Sequence, residues 1–192
     1  MPNQYGMVID LSSCIGCHAC TIACKFENNT DLGLDWHRVE TVGDPKAKVG
    51  QDIPFGVYPN LSLSWLPIPC QHCANPPCRD ACPAGAITKR ADGIVLIDQE
   101  KCVGCRYCSW VCPYDVPQFN IKTSTTQKCT LCSQRVDNGQ VPACVNACVY
   151  GARMFGDVGD PNSNVSRLIS EKRAYTLHPE QGTGPSVYYI EP

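Results

Sequence analysis

The sequence predicts an α+β fold made of two pseudo-symmetric units, with a loop-and-strand insert and an extended C-terminal tail. The chain has 192 residues, and all 16 of its cysteines fall into four groups of four. A cysteine group, a strand-like segment and a second group follow one another twice, which indicates an internal repeat. The segments after the second and fourth groups are also alike, Pro83-Ala-Gly-Ala-Ile87 and Val149-Tyr-Gly-Ala-Arg153.

The third group has the most specific spacing. It reads Cys102-Val-Gly-Cys105-Arg-Tyr-Cys108-Ser-Trp-Val-Cys112-Pro113. Three thiolates at intervals of three residues can wrap one corner of a 4Fe-4S cube, and the fourth cysteine of such a run ligates a second cube. One run of this kind, typical of bacterial ferredoxins, therefore implies a partner run.

The other groups vary this spacing. The first, Cys14-Ile-Gly-Cys17-His-Ala-Cys20-Thr-Ile-Ala-Cys24, has the same intervals without the closing proline. The second runs from Cys70 to Cys82-Pro83 with a wider loop, which Pro76 and Pro77 stiffen. The fourth consists of Cys129-Thr-Leu-Cys132 and Cys144-Val-Asn-Ala-Cys148, joined by a spacer with the turn sequence Asp-Asn-Gly.

The distances between groups indicate how they pair. A short segment separates Cys82 from Cys102, which suits one two-cluster unit made from the second and third groups. The first and fourth groups then make the other unit. We expect the first unit to comprise residues 1–27 and 121–160, the second unit residues 67–120, the insert residues 28–66 and the tail residues 161–192.

In two-cluster ferredoxins each cube takes three cysteines of one group and the last cysteine of the partner group. Applied here, this rule makes all sixteen cysteines iron ligands of four 4Fe-4S clusters. The four expected sets are Cys14, Cys17, Cys20 and Cys148; Cys24, Cys129, Cys132 and Cys144; Cys70, Cys73, Cys78 and Cys112; and Cys82, Cys102, Cys105 and Cys108. Zinc is the alternative for an isolated Cys-x-x-Cys pair, but it requires neither the repeated triplets nor the Cys-Pro endings.

Alternating apolar residues and turn signals predict the remaining elements. A helix is expected to begin within the first group and to end at Asn28 and Asn29, and a second helix is expected over residues 165–172. Strands are expected over residues 5–11, 36–42, 61–66, 94–98, 152–158 and 185–190. The insert is expected to serve more as a docking surface than as core, and Trp36 and Trp65 either dock a partner or cover a cluster.

Charge and composition exclude several classes of protein. The formal net charge is −2, thiolate-bound clusters make it more negative, and no basic stripe suits nucleic acid. Residues 1–10 lack the pattern of a signal peptide, and no apolar run reaches the roughly 18 residues of a membrane span, so the chain is expected to be soluble by its own sequence. With every cube fully ligated by cysteine, no iron is open to substrate and no catalytic residue is predicted.

Several side chains next to the ligands have two interpretations each. Arginines and lysines beside cysteines either raise the potential of a neighbouring cluster or are simply solvated. Histidines inside the ligand loops are expected to pack or to form hydrogen bonds, and nearby aromatic residues to shield a cluster. These residues are Lys25, Arg79, Lys101, Arg106 and Lys128; His18 and His72; and Tyr107, Trp110 and Tyr114.

The four groups and several short motifs together resemble the iron–sulfur subunit of the dimethyl sulfoxide reductase superfamily. The resemblance covers essentially the whole chain. The motifs are Met7-Val-Ile-Asp-Leu11, Cys70-Gln-His-Cys73, Cys112-Pro-Tyr-Asp-Val-Pro117, Lys128-Cys-Thr-Leu-Cys132 and Pro142-Ala-Cys144.

The resemblance implies an electron-transfer subunit, itself not catalytic, within a hetero-oligomer. Its partners would be a large molybdenum or tungsten bis-pterin catalytic subunit and an integral membrane quinone-reactive subunit. The first unit would face the catalytic subunit and the second unit the membrane, with the Cys102 cluster nearest the quinone. Because Cys105 replaces the tryptophan of some relatives, that cluster is expected to hold four irons.

The resemblance also implies a position peripheral to the cytoplasmic membrane, either on the periplasmic side after export with a partner or on the cytoplasmic side. The alternative function is a free-standing polyferredoxin-type carrier for soluble oxidoreductases. The long insert and the tail favour the complex, because a diffusing carrier needs no such docking surface.

Overall fold

The computed structural model describes residues 4–43 and 54–191. Residues 1–3 of the expected first unit and residues 44–53 of the expected insert are not among the described residues. The strands are β1 (Tyr5–Asp10), β2 (Arg38–Val42), β3 (Phe55–Val57), β4 (Asn60–Ser62), β5 (Ser64–Ile68), β6 (Ile87–Lys89), β7 (Val95–Ile97), β8 (Gln118–Asn120), β9 (Thr125–Gln127), β10 (Arg153–Asp157) and β11 (Val187–Ile190). The helices are α1 (Ala19–Asn28), α2 (Pro77–Asp80), α3 (Tyr107–Trp110), α4 (Ser133–Val136), α5 (Ala143–Asn146), α6 (Asn164–Glu171) and a 3-10 helix (Pro179–Gln181).

A three-stranded sheet in the order β10-β1-β11 supports the first unit. Its central strand β1 pairs antiparallel with β10 and parallel with β11. Met7, Val8 and Ile9 of β1 are at most 1% exposed, as expected for a central strand that is covered on both faces. At the end of β1 the Asp10 carboxylate accepts hydrogen bonds from the backbone and hydroxyl of Ser12, which turns the chain into the first cysteine group.

Most predicted elements form with small changes in their bounds. The strands predicted over 5–11, 94–98, 152–158 and 185–190 are confirmed as β1, β7, β10 and β11, and the predicted second helix as α6. The single strand predicted over 61–66 is wrong, because these residues divide between β4 and β5, which pair with β3 and β2 respectively. The one-turn helices and the β8–β9 hairpin were not predicted, since three or four residues carry too little periodicity.

Helix α1 carries the last two cysteines of the first group. Cys20, Thr21 and Cys24 are its buried residues, because positions i and i+4 lie on one face of a helix. The helix is flanked by His18 and Asn29, both in the left-handed conformation with φ values of 58° and 46°. The predicted end of this helix is therefore confirmed. No helix within residues 4–43 and 54–191 is long and apolar enough to cross a bilayer.

The insert contributes to the packed interior as well as to the surface. Strands β2 and β5 pair with each other, and Leu34 and His37 before them are 7% and 1% exposed. The Arg38 guanidinium donates hydrogen bonds to the backbone carbonyls of Tyr114 and Asp115 at 2.8 and 2.7 Å. The insert thereby joins the second unit, and its docking role stays a prediction.

The C-terminal tail consists of more than an extended arm, as its predicted helix and last strand imply. It contains α6, and its last strand β11 forms one edge of the central sheet. Val187 and Tyr189 are 1% and 0% exposed, so packing on β1 removes their apolar surface from water. The Ser186 carbonyl accepts from the Met7 N–H, and the Ser186 hydroxyl donates to the His72 carbonyl at 3.0 Å. The tail therefore bridges the two units.

One apolar core joins the two expected units. Ile94 of the second unit is fully buried and belongs to the same cluster as Met7, Val187 and Tyr189. A smaller cluster surrounds Tyr114. The two units thus share their main core, and the expected division of the chain into residue ranges stays a prediction.

Candidate metal centres

The sixteen cysteines line four cavities, with four cysteines around each. The structure brings together in each cavity three cysteines of one sequence group and one of a second group, which are the four expected sets. Cavity A is lined by Cys14, Cys17, Cys20 and Cys148; cavity B by Cys24, Cys129, Cys132 and Cys144; cavity C by Cys70, Cys73, Cys78 and Cys112; and cavity D by Cys82, Cys102, Cys105 and Cys108. Ligation of one cluster by each set stays a prediction.

The arrangement of the thiols fits a multi-atom cluster better than a single ion. A structural zinc ion draws four sulfurs to about 2.3 Å from one centre. Among residues 4–43 and 54–191, no three Cys, His, Asp or Glu side chains are close enough to hold one ion. The thiols are arranged around a space, as a cube requires.

Buried hydroxyl groups beside the thiols also fit a cluster. Thr130 lines cavity B and Thr126 lines cavity D, and the Oγ1 atoms of both are buried without a nitrogen or oxygen partner. Buried polar atoms normally have a partner. Hydrogen bonds to cluster sulfurs are common and tune the cluster, so sulfur is the acceptor that suits these hydroxyls.

The ligand loops of the first and third groups share one backbone conformation. Gly16 and Gly104, each just before the second cysteine, have φ values of 66° and 65°. His18 and Arg106, each just after it, are also left-handed at 58° and 65°. A Cβ atom on Gly104 would lie 2.2 Å from the Ser124 carbonyl oxygen. Glycine is therefore required there both by its φ and by the close approach of the backbone.

Burial strongly disfavours free thiolates in the interior of the protein. Burial first, and then charges on neighbouring cysteines, raises the pKa of Cys24, Cys73 and Cys78 to about 12. Burial likewise raises the pKa of Cys144 to about 11. These thiols are neutral at pH 7 on their own, and iron binding would release their protons.

The cavities follow one another in the order A, B, C, D. Cys20 of A and Cys24 of B lie one turn apart on α1. Pro69 lines cavity B and the next residue, Cys70, lines cavity C, so these two cavities adjoin. Cys78 of C packs in one cluster with Cys82 and Cys108 of D. The four cavities therefore form one series, with A and D at its ends.

The basic residues singled out in the sequence differ in their surroundings. Lys128 is 3% exposed, lines cavity C, and donates hydrogen bonds to the carbonyls of Val95 and Cys129. Arg106 stacks over the Phe119 ring at 3.7 Å from its centroid. The other three form exposed or half-exposed ion pairs, namely Lys25 with Asp35, Arg79 with Asp80 and Lys101 with Asp98.

The histidines and aromatic residues of the ligand loops also differ from one another. His72 is buried, and its Nδ1 accepts a hydrogen bond from the Val95 N–H at 3.0 Å, which confirms its predicted hydrogen bond. Tyr114 lines cavity C and its hydroxyl lies 2.6 Å from Thr183 Oγ1. Trp110 is 77% exposed and packs edge-on against Tyr107. An exposed indole of this kind covers a cluster poorly.

Sequence reasoning missed two buried residues between cavities A and B. Arg153 lines cavity A and His37 lines cavity B, and their side-chain nitrogens lie 2.6 Å apart. The internal repeat contained a signal for the first of them. Arg153 stands where the matching segment has Ile87, and a charge at a position that is apolar in the other repeat points to a special environment.

Comparison with protein families agrees with the cysteine pattern. The chain matches the 4Fe-4S dicluster domain family over residues 61–158 and the 4Fe-4S binding domain family over residues 5–26. Together these matches include all four cysteine groups.

Individual relatives are similar over nearly the whole chain. A subunit of the sulfite dehydrogenase of Allochromatium vinosum is 42% identical over 98% of this chain and 83% of its own length. A subunit of the tetrathionate reductase of Salmonella typhimurium is 40% identical over 98% and 72%. The arsenate respiratory reductase iron–sulfur subunit of a Shewanella species is 36% identical over 97% and 96%.

Proposed function

The chain belongs to the iron–sulfur subunits of the dimethyl sulfoxide reductase superfamily, and we propose that it conducts single electrons through four 4Fe-4S clusters. It is an electron-transfer subunit of a molybdopterin oxidoreductase complex and is not catalytic by itself. It binds 4Fe-4S clusters and acts within a hetero-oligomer that contains a catalytic subunit. The proposal adds the number of clusters, their ligands and the partner at each end.

The observation that carries the proposal is the presence of four cavities with four cysteines each. Each 4Fe-4S cluster requires four thiolates and supplies a one-electron redox centre whose potential depends on its surroundings. The sixteen cysteines match this requirement without a remainder. No cysteine is then left to serve as a nucleophile or as a zinc ligand.

The residues around the thiols would hold each cluster and limit its contact with water. Pro76, Pro77 and Val116 line cavity C, and their side chains carry neither charge nor hydrogen-bonding groups. Thr126 and Thr130 have free hydroxyls for sulfur at cavities D and B. Apolar walls and a few hydrogen bonds are the means by which a protein sets a cluster potential.

The two outer cavities are the proposed points of electron exchange. Cys17 of A and Cys105 of D are exposed, and exposed apolar side chains lie beside both. Val149 and Tyr150 line cavity A and are 82% and 61% exposed. Val103 lines cavity D and is 68% exposed. We assign these apolar side chains, together with the exposed cysteines beside them, to the contacts with the partners.

We assign the end at cavity A to the bis-pterin molybdenum or tungsten subunit and the end at cavity D to a quinone-reactive membrane subunit. In this arrangement the chain lies at the surface of the cytoplasmic membrane as part of the complex. Electrons would cross the chain in the order of the cavities, through B and C.

A free-standing polyferredoxin-type carrier is the alternative. The relatives favour the complex, since their names describe subunits of a tetrathionate reductase and a sulfite dehydrogenase. The exposed apolar residues at both ends also suit lasting contacts, which a diffusing carrier does not need.

Anaerobic purification of the tagged chain from its own cells tests the proposal. We expect about 16 iron atoms and an equal amount of acid-labile sulfide per chain, four irons for each cube. A large pterin-containing subunit and a membrane subunit should be purified with it, and either quinol should reduce the clusters or quinone should oxidise them. A chain that elutes alone and exchanges electrons with several soluble enzymes would favour the carrier, and a zinc protein without sulfide would refute both.

A further inference from the structure

Arg153 is a buried cation at the boundary of cavities A and B. It is the first residue of β10, is 4% exposed and lines cavity A. Its guanidinium lies 2.6 Å from His37 Nε2 through Nη2 and 3.3 Å from Met7 Sδ through Nη1. His37 and Met7 both line cavity B. The guanidinium is thus held by the wall of one cavity while it forms part of the wall of the other.

His37 holds this guanidinium without adding a second charge. Burial, and next the charge of Arg153, keeps the pKa of His37 well below its usual range. The imidazole is therefore neutral at pH 7, and its Nε2 accepts the hydrogen bond from Arg153, because a guanidinium has only donors. Met7 provides a weak sulfur acceptor. Neither partner neutralises the positive charge.

No carboxylate among residues 4–43 and 54–191 forms an ion pair with Arg153. A buried charge without a counter-charge is strongly unfavourable, and arginine cannot escape by losing its proton. Burial alone would lower the pKa of Arg153, but negative charges on Cys144, Cys20, Tyr189 and Cys148 raise it overall. Arg153 lines cavity A and its hydrogen-bond partners His37 and Met7 line cavity B, so cluster-bound thiolates at both cavities would be the negative charge that compensates it.

We infer that Arg153, positioned by His37, is the fixed counter-charge shared by the clusters of cavities A and B, and that it makes both clusters easier to reduce. The inference rests on the cluster assignment under Proposed function. A positive charge nearby favours the state that carries one more electron, and a buried charge is little screened by salt. The second unit has Ile87 at the matching position, where it lines cavity D. The two outer clusters therefore differ in this charge.

The test compares the reduction potentials of the clusters in three holoproteins, the wild type, Arg153→Gln and Arg153→Lys. The potentials are measured by redox titration with EPR as the readout. Arg153→Gln should lower the reduction potentials of two clusters by about 59 mV each. For one electron this shift corresponds to roughly a tenfold change in the reduction equilibrium constant. The other two clusters should keep theirs. Arg153→Lys retains the charge and should remain near the wild type. Unchanged potentials in Arg153→Gln, or an equal shift of all four clusters, would overturn the inference.

Arg79→Gln is the matched control. Arg79 is next to the ligand Cys78, but its side chain is 44% exposed and pairs with Asp80, so solvent screens its charge. Loss of this charge should shift the potentials far less than loss of Arg153. An equal shift in the two variants would show that burial of the charge is irrelevant and would refute the inference.

Iron and sulfide content separates this inference from the cluster assignment. A wild-type chain with fewer than four clusters would refute the assignment, whatever the variants do. If Arg153→Gln fails to assemble its clusters while Arg153→Lys assembles with near wild-type potentials, the charge itself is needed and the inference stands. If both variants fail to assemble, Arg153 serves packing and the inference is wrong.

Discussion

The outer cavities A and D and the inner cavities B and C have the same number of cysteines in different surroundings. Cys17 of A and Cys105 of D are exposed. In cavity B, by contrast, Cys24, Cys129 and Cys144 are all buried. Four cysteines are common to all four cavities, and the depth of the loops that carry them is what differs. In the proposed electron path, a cluster in an exposed cavity can meet a partner, whereas a cluster in a buried cavity only passes electrons on.

The surroundings also differ in charge. Lys128 is buried where cavities B and C approach each other, since it lines C and contacts the carbonyl of the ligand Cys129. Arg106 at cavity D is exposed and stacks on Phe119. A buried cation acts on a neighbouring cluster with little screening, whereas water weakens an exposed one. The clusters proposed for cavities C and D are therefore expected to respond differently to the same kind of substitution.

The largest contrast is expected when one ligand is removed from each class. Cys144→Ser at cavity B should cost about four irons per chain and sharply lower the unfolding midpoint, because Cys144 belongs to the main apolar core. Cys105→Ser at cavity D should alter one cluster, slow quinone-linked turnover and leave the other three clusters in place. Iron analysis, EPR and thermal unfolding under argon measure both. Equal losses of stability in Cys144→Ser and Cys105→Ser would contradict the proposed difference between inner and outer cavities.

Lys128→Met is expected to have the next largest effect. It leaves the carbonyls of Val95 and Cys129 without their donor, and a buried unsatisfied group costs about 1–3 kcal/mol. Lys101→Met is the control, since the Lys101 side chain is 66% exposed, and its effect should stay within about 0.5 kcal/mol. Denaturant unfolding of the holoprotein compares the two. A similar loss in both would mean that the buried ammonium stabilises nothing.

Gly104→Ala tests how tightly the loop of an outer cluster is built. The new methyl group would meet the Ser124 carbonyl oxygen at 2.2 Å, whereas Gly85→Ala would meet no atom within 4 Å. Both glycines have positive φ values, 65° and 59°, so each alanine also incurs a backbone cost of about 1–2 kcal/mol. The difference between the variants isolates the clash. Only Gly104→Ala should change the EPR signal of the cluster in cavity D. Equal effects of the two substitutions on this signal would show that the loop can move to accommodate the new methyl group.

The smallest effect on the isolated chain is expected from Trp110→Ala. Trp110 is 77% exposed, so its truncation should leave cluster content and stability unchanged. In the complex it should weaken the affinity for the membrane partner about five- to thirtyfold, or about 1–2 kcal/mol, as for a moderate interface residue. Leu32→Ala, at a side chain 94% exposed on another loop, is the control. Trp110 stands two residues after Cys108 of cavity D on α3, and equal binding by both variants would show that it does not contact the membrane partner.

The cysteine spacing predicted more of the candidate site than of the fold around it. Short intervals restrict which thiols can reach one cube, so the four sets found around the cavities follow from the spacing and the crossing rule of two-cluster ferredoxins. The strand over residues 61–66 was predicted less well. The apolar pattern continues without interruption across Leu63, where the structure separates β4 from β5. Only the pairing of β4 with β3 and of β5 with β2 divides the segment into two strands.

The sequence by itself determined the chemistry of this protein, because sixteen cysteines in four closely spaced groups leave thiolate-bound clusters as the consistent interpretation. Tertiary structure alone decided which ligands are exposed, how the tail closes the sheet, and that Arg153 meets His37 across 116 residues of chain. Ligand spacing is local, whereas burial and the pairing of distant charges depend on contacts between segments far apart in the chain. Those contacts are what distinguish the inner clusters from the outer ones.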